Sequence, residues 1–242
     1  MKRTLFLASS LAAVGLSACG PVKNSLTYGP FRSVLDAAEP LDRAVIGTRG
    51  LAREYPESAI TMDFPLDSLD TPSDAVYAQW AGTGFAGYRL VIDGMVARPQ
   101  RFSLAELRAL QSTTQITRHD CVEGWSAIGK WSGVRLATIL AMAQPAQGAR
   151  YVVFHCLDRD QSGTAYYESL DLHQAAHPQT LLALTLNNAP LQPDHGAPVR
   201  LKIPTQLGYK SAKWVQRVEL AAALPGKGGY WEDQGYAWFA GI

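Results

Sequence analysis

Apolar residues are distributed along the 242-residue chain in three distinct ways. Residues 5–16 form a nearly unbroken apolar run. Phe31, Val34, Leu35, Ala38, Leu41, Val45 and Ile46 recur near a helical period interrupted by Pro40, which predicts one or two short amphipathic helices docked on the body of the protein. A polar stretch bearing Asp and Pro follows over residues 61–74 and reads as an extended arm. From Tyr88 onward strands and helices take turns. Tyr88-Arg89-Leu90-Val91-Ile92 before Asp93-Gly94 is a strand entering a turn, and Ser103-Leu104-Ala105-Glu106 is a capping box opening a helix through Leu110. The spacing further predicts an apolar helix over residues 133–143, a buried strand over 150–157, a short helix over 170–176 ended by His177-Pro178, and a strand over 181–186. Val199, Leu201 and Ile203 alternate with Arg200 and Lys202, so that strand is expected to turn one face to the core and present charge on the other. Trp214, Val215, Val218 and Leu220 are expected to close the sheet. No strand–helix unit repeats, and the fold class expected is mixed α+β rather than a doubly wound parallel sheet.

The amino-terminal run is too short to cross about 30 Å of hydrocarbon. With Lys2-Arg3 before it and Leu16-Ser17-Ala18-Cys19 after it, it has the three parts of a cleaved export signal. Its small-small-Cys ending resembles the bacterial lipobox, which implies cleavage before Cys19 and a diacylglycerol on the Cys19 thiol. The chain then divides into a signal over residues 1–18, a tether and amphipathic helical segment over 19–60, and a main domain over 61–242. The expected address is periplasmic, with the membrane reached only through the lipid on Cys19.

Charge narrows the function. Lys and Arg number 22 against 21 Asp and Glu, and removing the signal leaves 20 against 21. No basic excess exists to neutralise a nucleic acid backbone, so any anion bound here is met by a few placed cations. If Cys19 carries lipid, Cys121 and Cys156 remain. An oxidising compartment suits a disulfide between them, whereas the ionisable and aromatic neighbours of Cys121 suit a reactive thiolate or metal ligand, and the residues leave both open. His119 and Cys121 lack the paired spacing of a structural zinc site. Arg200 and Lys213 lie among glycines, as a compact anion site would have them, although on spacing alone a soluble strand edge explains them better.

Three segments together resemble a known family. His119-Asp120-Cys121-Val122-Glu123-Gly124-Trp125-Ser126, His195-Gly196-Ala197-Pro198-Val199-Arg200-Leu201 and Gly208-Tyr209-Lys210-Ser211-Ala212-Lys213 are similar, in matching order, to the landmarks of the sulfite oxidase-type molybdopterin oxidoreductases. The likeness is to the bacterial single-domain branch that includes a periplasmic methionine sulfoxide reductase catalytic subunit. It implies a sulfite oxidase-like fold and a Mo-molybdopterin cofactor, with the Cys121 thiolate as the sole protein ligand of the metal. It also implies cofactor contacts at His195, Arg200, Ser211, Ala212 and Lys213, with Cys156 in the pocket wall near the pterin. Glu123 would lie near the open coordination position and hold or pass a proton.

Departures from the family shape the expectation. Val122-Glu123-Gly124-Trp125 puts a carboxylate and an indole where sulfite-oxidising members carry an Asn- and Arg-bearing stretch, and a negative Glu123 disfavours a doubly charged oxyanion. The family's amino-terminal pterin-binding segment has no match in residues 61–85. No haem-attachment motif or Cys cluster is present, so electrons are expected to pass through a separate protein, with a membrane haem protein as the candidate. The expected activity is two-electron, oxygen-atom-transfer chemistry on a small substrate or an oxidised side chain. Two alternatives stand beside it: a thiol enzyme with Cys121 as nucleophile and His119 or His195 as base, and a non-catalytic envelope lipoprotein that keeps the fold. Tyr166, Tyr167 and Glu168 are rim candidates. The glycine- and aromatic-rich residues 226–239 read as an arm packing rings over the body, with an aromatic lid or a docking patch as the alternative.

Overall fold

A computed structural model describes residues 40, 41, 43–45, 47, 50–67 and 71–242. The export signal, Cys19 and most of the amphipathic segment lie outside the described residues. Where that segment is described, residues 40, 41 and 43–45 are helical. Its apolar Leu41 and Val45 face solvent, and it is Arg43 that reaches the body, pairing with Asp171 beneath the rings of Trp238 and Phe239. Among the described residues no helix is long and apolar enough to cross a membrane.

Two five-stranded sheets organise the chain. The first has the order β2-β1-β10-β5-β6, from β1 (Arg89–Gly94), β2 (Gln100–Ser103), β5 (Tyr151–Arg159), β6 (Ala165–Asp171) and β10 (Val215–Ala221). The second runs β3-β4-β7-β8, from β3 (Ser112–Asp120), β4 (Ser126–Arg135), β7 (Leu181–Leu186) and β8 (Ala189–Pro190), with β9 (Arg200–Lys202) pairing β7. Among the described residues only β1 and β10 pair in parallel. Short helices connect the strands: α1 (Ala75–Gly82), α2 (Leu104–Ala109), α3 (Leu136–Ala143), α4 (Leu172–Ala175) and α5 (Tyr230–Asp233). The fold is mixed α+β, as the pattern implied.

The capping box at α2 is complete, with the Ser103 side chain accepting from the Glu106 backbone N–H and the Glu106 side chain accepting from that of Ser103. Leu90, Ile92, Leu107, Ile139, Phe154 and Val218 are among the side chains of the main core. Phe64, Ala127, Trp131, Ala183, Leu186, Leu191 and Ala197 form a second, smaller one.

Four expectations need correction. The helix expected over residues 133–143 begins at Leu136, because Gly133, Val134 and Arg135 finish β4; a Cβ at Gly133 would sit 2.7 Å from the Ala183 Cα of β7. A short apolar run does not by itself distinguish strand from helix. For the same reason Leu170 and Asp171 end β6, with Asp171 then capping α4. β10 lies between β1 and β5, inside its sheet rather than closing it. Arg200 and Lys202 are buried, because the polar face of β9 looks onto Trp131 of β4 and not onto water.

Candidate functional site

β3 and β4 meet in a tight turn that carries Cys121. The Cys121 N–H donates to the Trp125 carbonyl at 2.9 Å and the Gly124 N–H to the Cys121 carbonyl at 3.1 Å, closing the hairpin. Gly124 holds it with φ +93°, a conformation that L side chains rarely adopt. Trp125 packs edge-on to Phe64 and donates its indole N–H to the Glu123 carboxylate at 3.1 Å.

This turn opens on a small cavity that is partly open to solvent. Cys121, Val122, Glu123 and His119 line one side; Gly208, Tyr209, Ser211, Ala212 and Lys213 come from the 3₁₀ turn Gly208–Lys210 and the residues after it. Asp67 of the extended arm, Tyr166 of β6 and Trp231 of α5 complete it. Gly208 runs so close to His119 that a Cβ there would lie 2.6 Å from Nε2.

Of the residues singled out from sequence, Cys121, Glu123, Ser211, Ala212 and Lys213 line the cavity together. His195 and Arg200 stand behind that lining: the His195 Nε2–H donates to the Phe64 carbonyl at 3.2 Å, and Arg200 Nη1 donates to the His195 carbonyl at 3.4 Å. A Cβ on Gly196, next to His195, would fall 2.9 Å from Lys213 Cβ, so this loop backs directly onto Lys213. Cys156 is buried in the main core in register with Val215 and does not line the cavity. Cys121 and Cys156 are both free thiols. Tyr166 lines the cavity, whereas Tyr167 turns away to donate to the Asp233 carboxylate at 2.5 Å. Trp231 faces the cavity while packing against Tyr230 and Tyr236, so the aromatic arm both packs and lines.

Sequence reading missed Asp67 and the lining position of His119. His119 stood inside the motif, but its strand, β3, was not expected. The inner face of β3 carries Gln115, Thr117 and His119, all buried, and gives no apolar alternation to detect.

Electrostatics distinguish this cavity from ordinary core. Arg200, Lys202 and Lys213 are each nearly or fully buried. Lys213 pairs with Asp67 at 2.5 Å. Among the described residues Lys202 reaches only the Arg118 carbonyl at 3.1 Å and His119 Nδ1 at 3.4 Å, and Arg200 Nε has no hydrogen-bond partner. Each cation instead lies over an indole: Arg200 and Lys202 at 5.4 and 5.6 Å from the Trp131 ring centre, Lys213 at 4.1 Å from that of Trp214. Trp214 takes φ +51°, unusual for a large side chain, immediately beside Lys213. Burial, reinforced by Arg200, pulls the Lys202 ammonium down to about 7. Burial and then Lys202, Arg200 and Lys213 hold His119 well below the usual imidazole range, so it is neutral. Burial lowers His195 as well. The Cys121 thiol is pushed up by burial first, and Glu123 and Asp67 add to this while Arg200 opposes them.

Buried cations without carboxylate partners are costly, and an anion that enters among them removes the cost. With the close backbone approach at Gly208 and one cavity-facing thiol, these residues fit a phosphate-bearing, metal-carrying cofactor.

Comparison with known proteins agrees. Residues 81–231 match the oxidoreductase molybdopterin binding domain family. A protein of Azospira oryzae whose assigned name is protein-methionine-sulfoxide reductase subunit YedZ1 is 43% identical over 191 residues, 79% of this chain and 68% of that one. The protein-methionine-sulfoxide reductase catalytic subunit MsrP of Xanthomonas axonopodis pv. citri is 30% identical over 240 residues, 93% of this chain and 70% of that one. Among solved structures, the sulfane dehydrogenase SoxCD of Paracoccus pantotrophus superposes with a TM-score of 0.52 at 24% identity, covering 57% of this chain and 39% of that one, which establishes a shared fold. The chain therefore belongs to the sulfite oxidase-type molybdopterin oxidoreductases, and it is an enzyme whose cofactor is Mo-molybdopterin.

Proposed function

We propose that this enzyme is the catalytic component of an exported system that reduces an oxidised sulfur, with methionine sulfoxide as the substrate class. The observation that carries the reading is the placing of Cys121 and Glu123 on one turn, facing a cavity walled by Tyr166 and Trp231. Aromatic walls suit a neutral sulfoxide and its thioether product. The Glu123 carboxylate repels a sulfite dianion. The names of the two relatives point the same way.

When bound, the molybdenum cofactor supplies the exchange of an oxygen atom and two electrons. Cys121 would give the metal its protein sulfur; among the described residues no three His, Cys, Asp or Glu side chains are grouped to hold a metal, so the remaining donors come with the cofactor. Lys213, Ser211 and Arg200 would hold its anionic end, with His195 orienting Arg200 through its carbonyl. Reduction of the sulfoxide to the thioether takes up two protons and two electrons and releases water. Glu123, at the cavity and tethered by the Trp125 indole N–H, is placed to carry a proton to the leaving oxygen at its carboxylate. Electrons would arrive singly from a separate redox protein, a membrane haem protein being the candidate, in keeping with relatives named as subunits. Export to the periplasm and a lipid on Cys19 complete the proposal. The thiol-enzyme alternative is disfavoured, since burial raises Cys121 rather than preparing a thiolate.

The test is turnover by protein purified from its native envelope with a reduced dye as donor, offering methionine sulfoxide in one arm and sulfite with an oxidised acceptor in the other. Sulfoxide reduction with little sulfite oxidation is expected; the reverse preference overturns the reading. Radiolabelled palmitate entering the wild type but not Cys19→Ser tests the anchor.

A further inference from the structure

Behind the cavity lies a charged cluster whose three residues do not line it. Glu168 of β6, Lys210 of the turn Gly208–Lys210 and Glu232 of α5 are 0, 0 and 1% exposed. Lys210 Nζ donates to Glu232 Oε1 at 2.5 Å and, in a shorter contact, to Glu168 Oε1. The Ser169 N–H also donates to Glu168 Oε1, at 2.7 Å. The second oxygens, Glu168 Oε2 and Glu232 Oε2, are buried without a hydrogen-bond partner among the described residues. Both carboxyls close over Gly229, where a Cβ would lie 2.9 Å from Glu168 Oε1. Two carboxyls thus share one ammonium. Burial, with Glu232 adding, holds Glu168 well above the usual carboxylate range against the pull of Lys210.

The position of this cluster is informative. Glu168 sits two residues from Tyr166 on the same face of β6, Lys210 lies between Tyr209 and Ser211, and Glu232 follows Trp231. All four of those neighbours line the cavity. Three walls from three distant parts of the sequence are therefore pinned from behind at one ammonium. Secondary ties run alongside: the Tyr166 hydroxyl donates to the Tyr209 carbonyl at 2.7 Å, Tyr166 stacks on Tyr230 with ring centres 5.4 Å apart, and the Tyr209 hydroxyl donates to the Ala237 carbonyl at 2.7 Å. Apolar side chains of similar size would bury as well or better, but they would not fix direction.

We propose that Glu168, Lys210 and Glu232 are positioning residues for the reaction: the triad clamps the Trp231-bearing helix α5 against the turn Gly208–Lys210 and so sets the width of the substrate cavity. The inference rests on the cavity being the catalytic one and does not depend on which substrate fills it.

The experiment compares cofactor-loaded wild type, Glu232→Ala and Glu232→Gln by hydrogen exchange, molybdenum content and steady-state kinetics with methionine sulfoxide. In Glu232→Ala the amides of residues 226–242 should exchange about tenfold faster while the rest of the chain and the metal content hold, and KM should rise about tenfold with kcat little changed. Glu232→Gln should restore both, because its amide oxygen still accepts from Lys210 in the place of Glu232 Oε1. Should Glu232→Ala fail to fold, Glu232→Asp keeps the charge, shortens the reach and should show the same confined pattern. Exchange that rises throughout the chain, exchange that does not change, or faster local exchange with an unmoved KM each overturns the clamp. If wild type itself does not reduce methionine sulfoxide, the substrate reading fails while exchange confined to residues 226–242, and its recovery in Glu232→Gln, still decides the clamp.

Discussion

Replacing Lys202 by methionine should move the cofactor-free protein and the loaded enzyme in opposite directions. Lys202 is fully buried, makes no ion pair among the described residues, and is held down to about 7 by burial and by Arg200. A fall from 10.5 to about 7 corresponds to about 5 kcal/mol between charged and neutral forms. The unfolded chain keeps this proton up to about 10.5 and the folded chain only to about 7, so unfolded protein carries more protons between those values and stability climbs with pH across that window. Below about 7 the whole penalty is present. Methionine removes it but gives up the hydrogen bond to the Arg118 carbonyl and the contact over Trp131, together worth about 2–3 kcal/mol. The net is a gain of about 2 kcal/mol for cofactor-free Lys202→Met at pH 6, or about 4–8 °C in Tm. At pH 9 the gain should vanish. Lys202 stands behind His119, which lines the cavity, so removing its charge in the loaded enzyme should weaken retention of the anionic pterin about tenfold, or 1.4 kcal/mol. Urea unfolding of protein made in a host unable to synthesise molybdopterin, at pH 6 and 9, measures the first effect; pterin released after dialysis measures the second. A cofactor-free variant less stable than wild type at pH 6 refutes the claim that this cation is uncompensated.

Three further outcomes follow from the same geometry. Asp158 is pushed up to about 7 by burial, so folded protein holds its proton more tightly than unfolded between about 4 and 7 and stability falls as pH rises through that range; Asp158→Asn should gain about 1–3 kcal/mol at pH 8 and little at pH 4 in chemical unfolding. Gly208→Ala places a Cβ 2.6 Å from His119 Nε2 and should cost about 1–3 kcal/mol, seen as a lower Tm together with reduced molybdenum content. Cys121→Ser should lower turnover more than about a hundredfold, beyond what changes to groups merely supporting a metal ligand produce, with metal lost from folded protein; full retained activity would refute Cys121 as ligand.

Much of this was legible from residues that obey local rules. The capping box at Ser103 and Glu106 and the strand at Leu181–Leu186 depend on contacts a few residues away, and both formed as read. Cys121, Glu123 and the Ser211-Ala212-Lys213 stretch were found because they sit in short contiguous motifs, and the structure gathers them at one cavity. What escaped depends on the far side of each element. β3 buries a polar face, which has no apolar period to read. Arg200 and Lys202 alternate like surface charge, and only the position of Trp131 on β4 shows that they are interior. Asp67 belongs to an arm with no regular structure, and nothing local signals its pairing with Lys213.

Why the cations of this site are backed by indoles rather than carboxylates follows from what they must do. A carboxylate beside each would lower the cost of burial but would occupy the donors that an anionic cofactor needs, so entry of the cofactor would have to break every pair. An aromatic face attracts the cation by its quadrupole, contributing about 0.5–2 kcal/mol, and leaves the N–H donors unspent. Arg200 and Lys202 share Trp131 in this way, and Arg200 Nε keeps its donor unused. Lys213 has both supports, Trp214 and Asp67. Asp67 comes from the extended arm rather than from either sheet, so this one pair can be exchanged by shifting the arm without disturbing a strand. The price is a cofactor-free state that carries uncompensated charge, and that is why the Lys202→Met experiment separates the two states: the same ammonium opposes folding of the empty chain and favours retention of the cofactor in the loaded one.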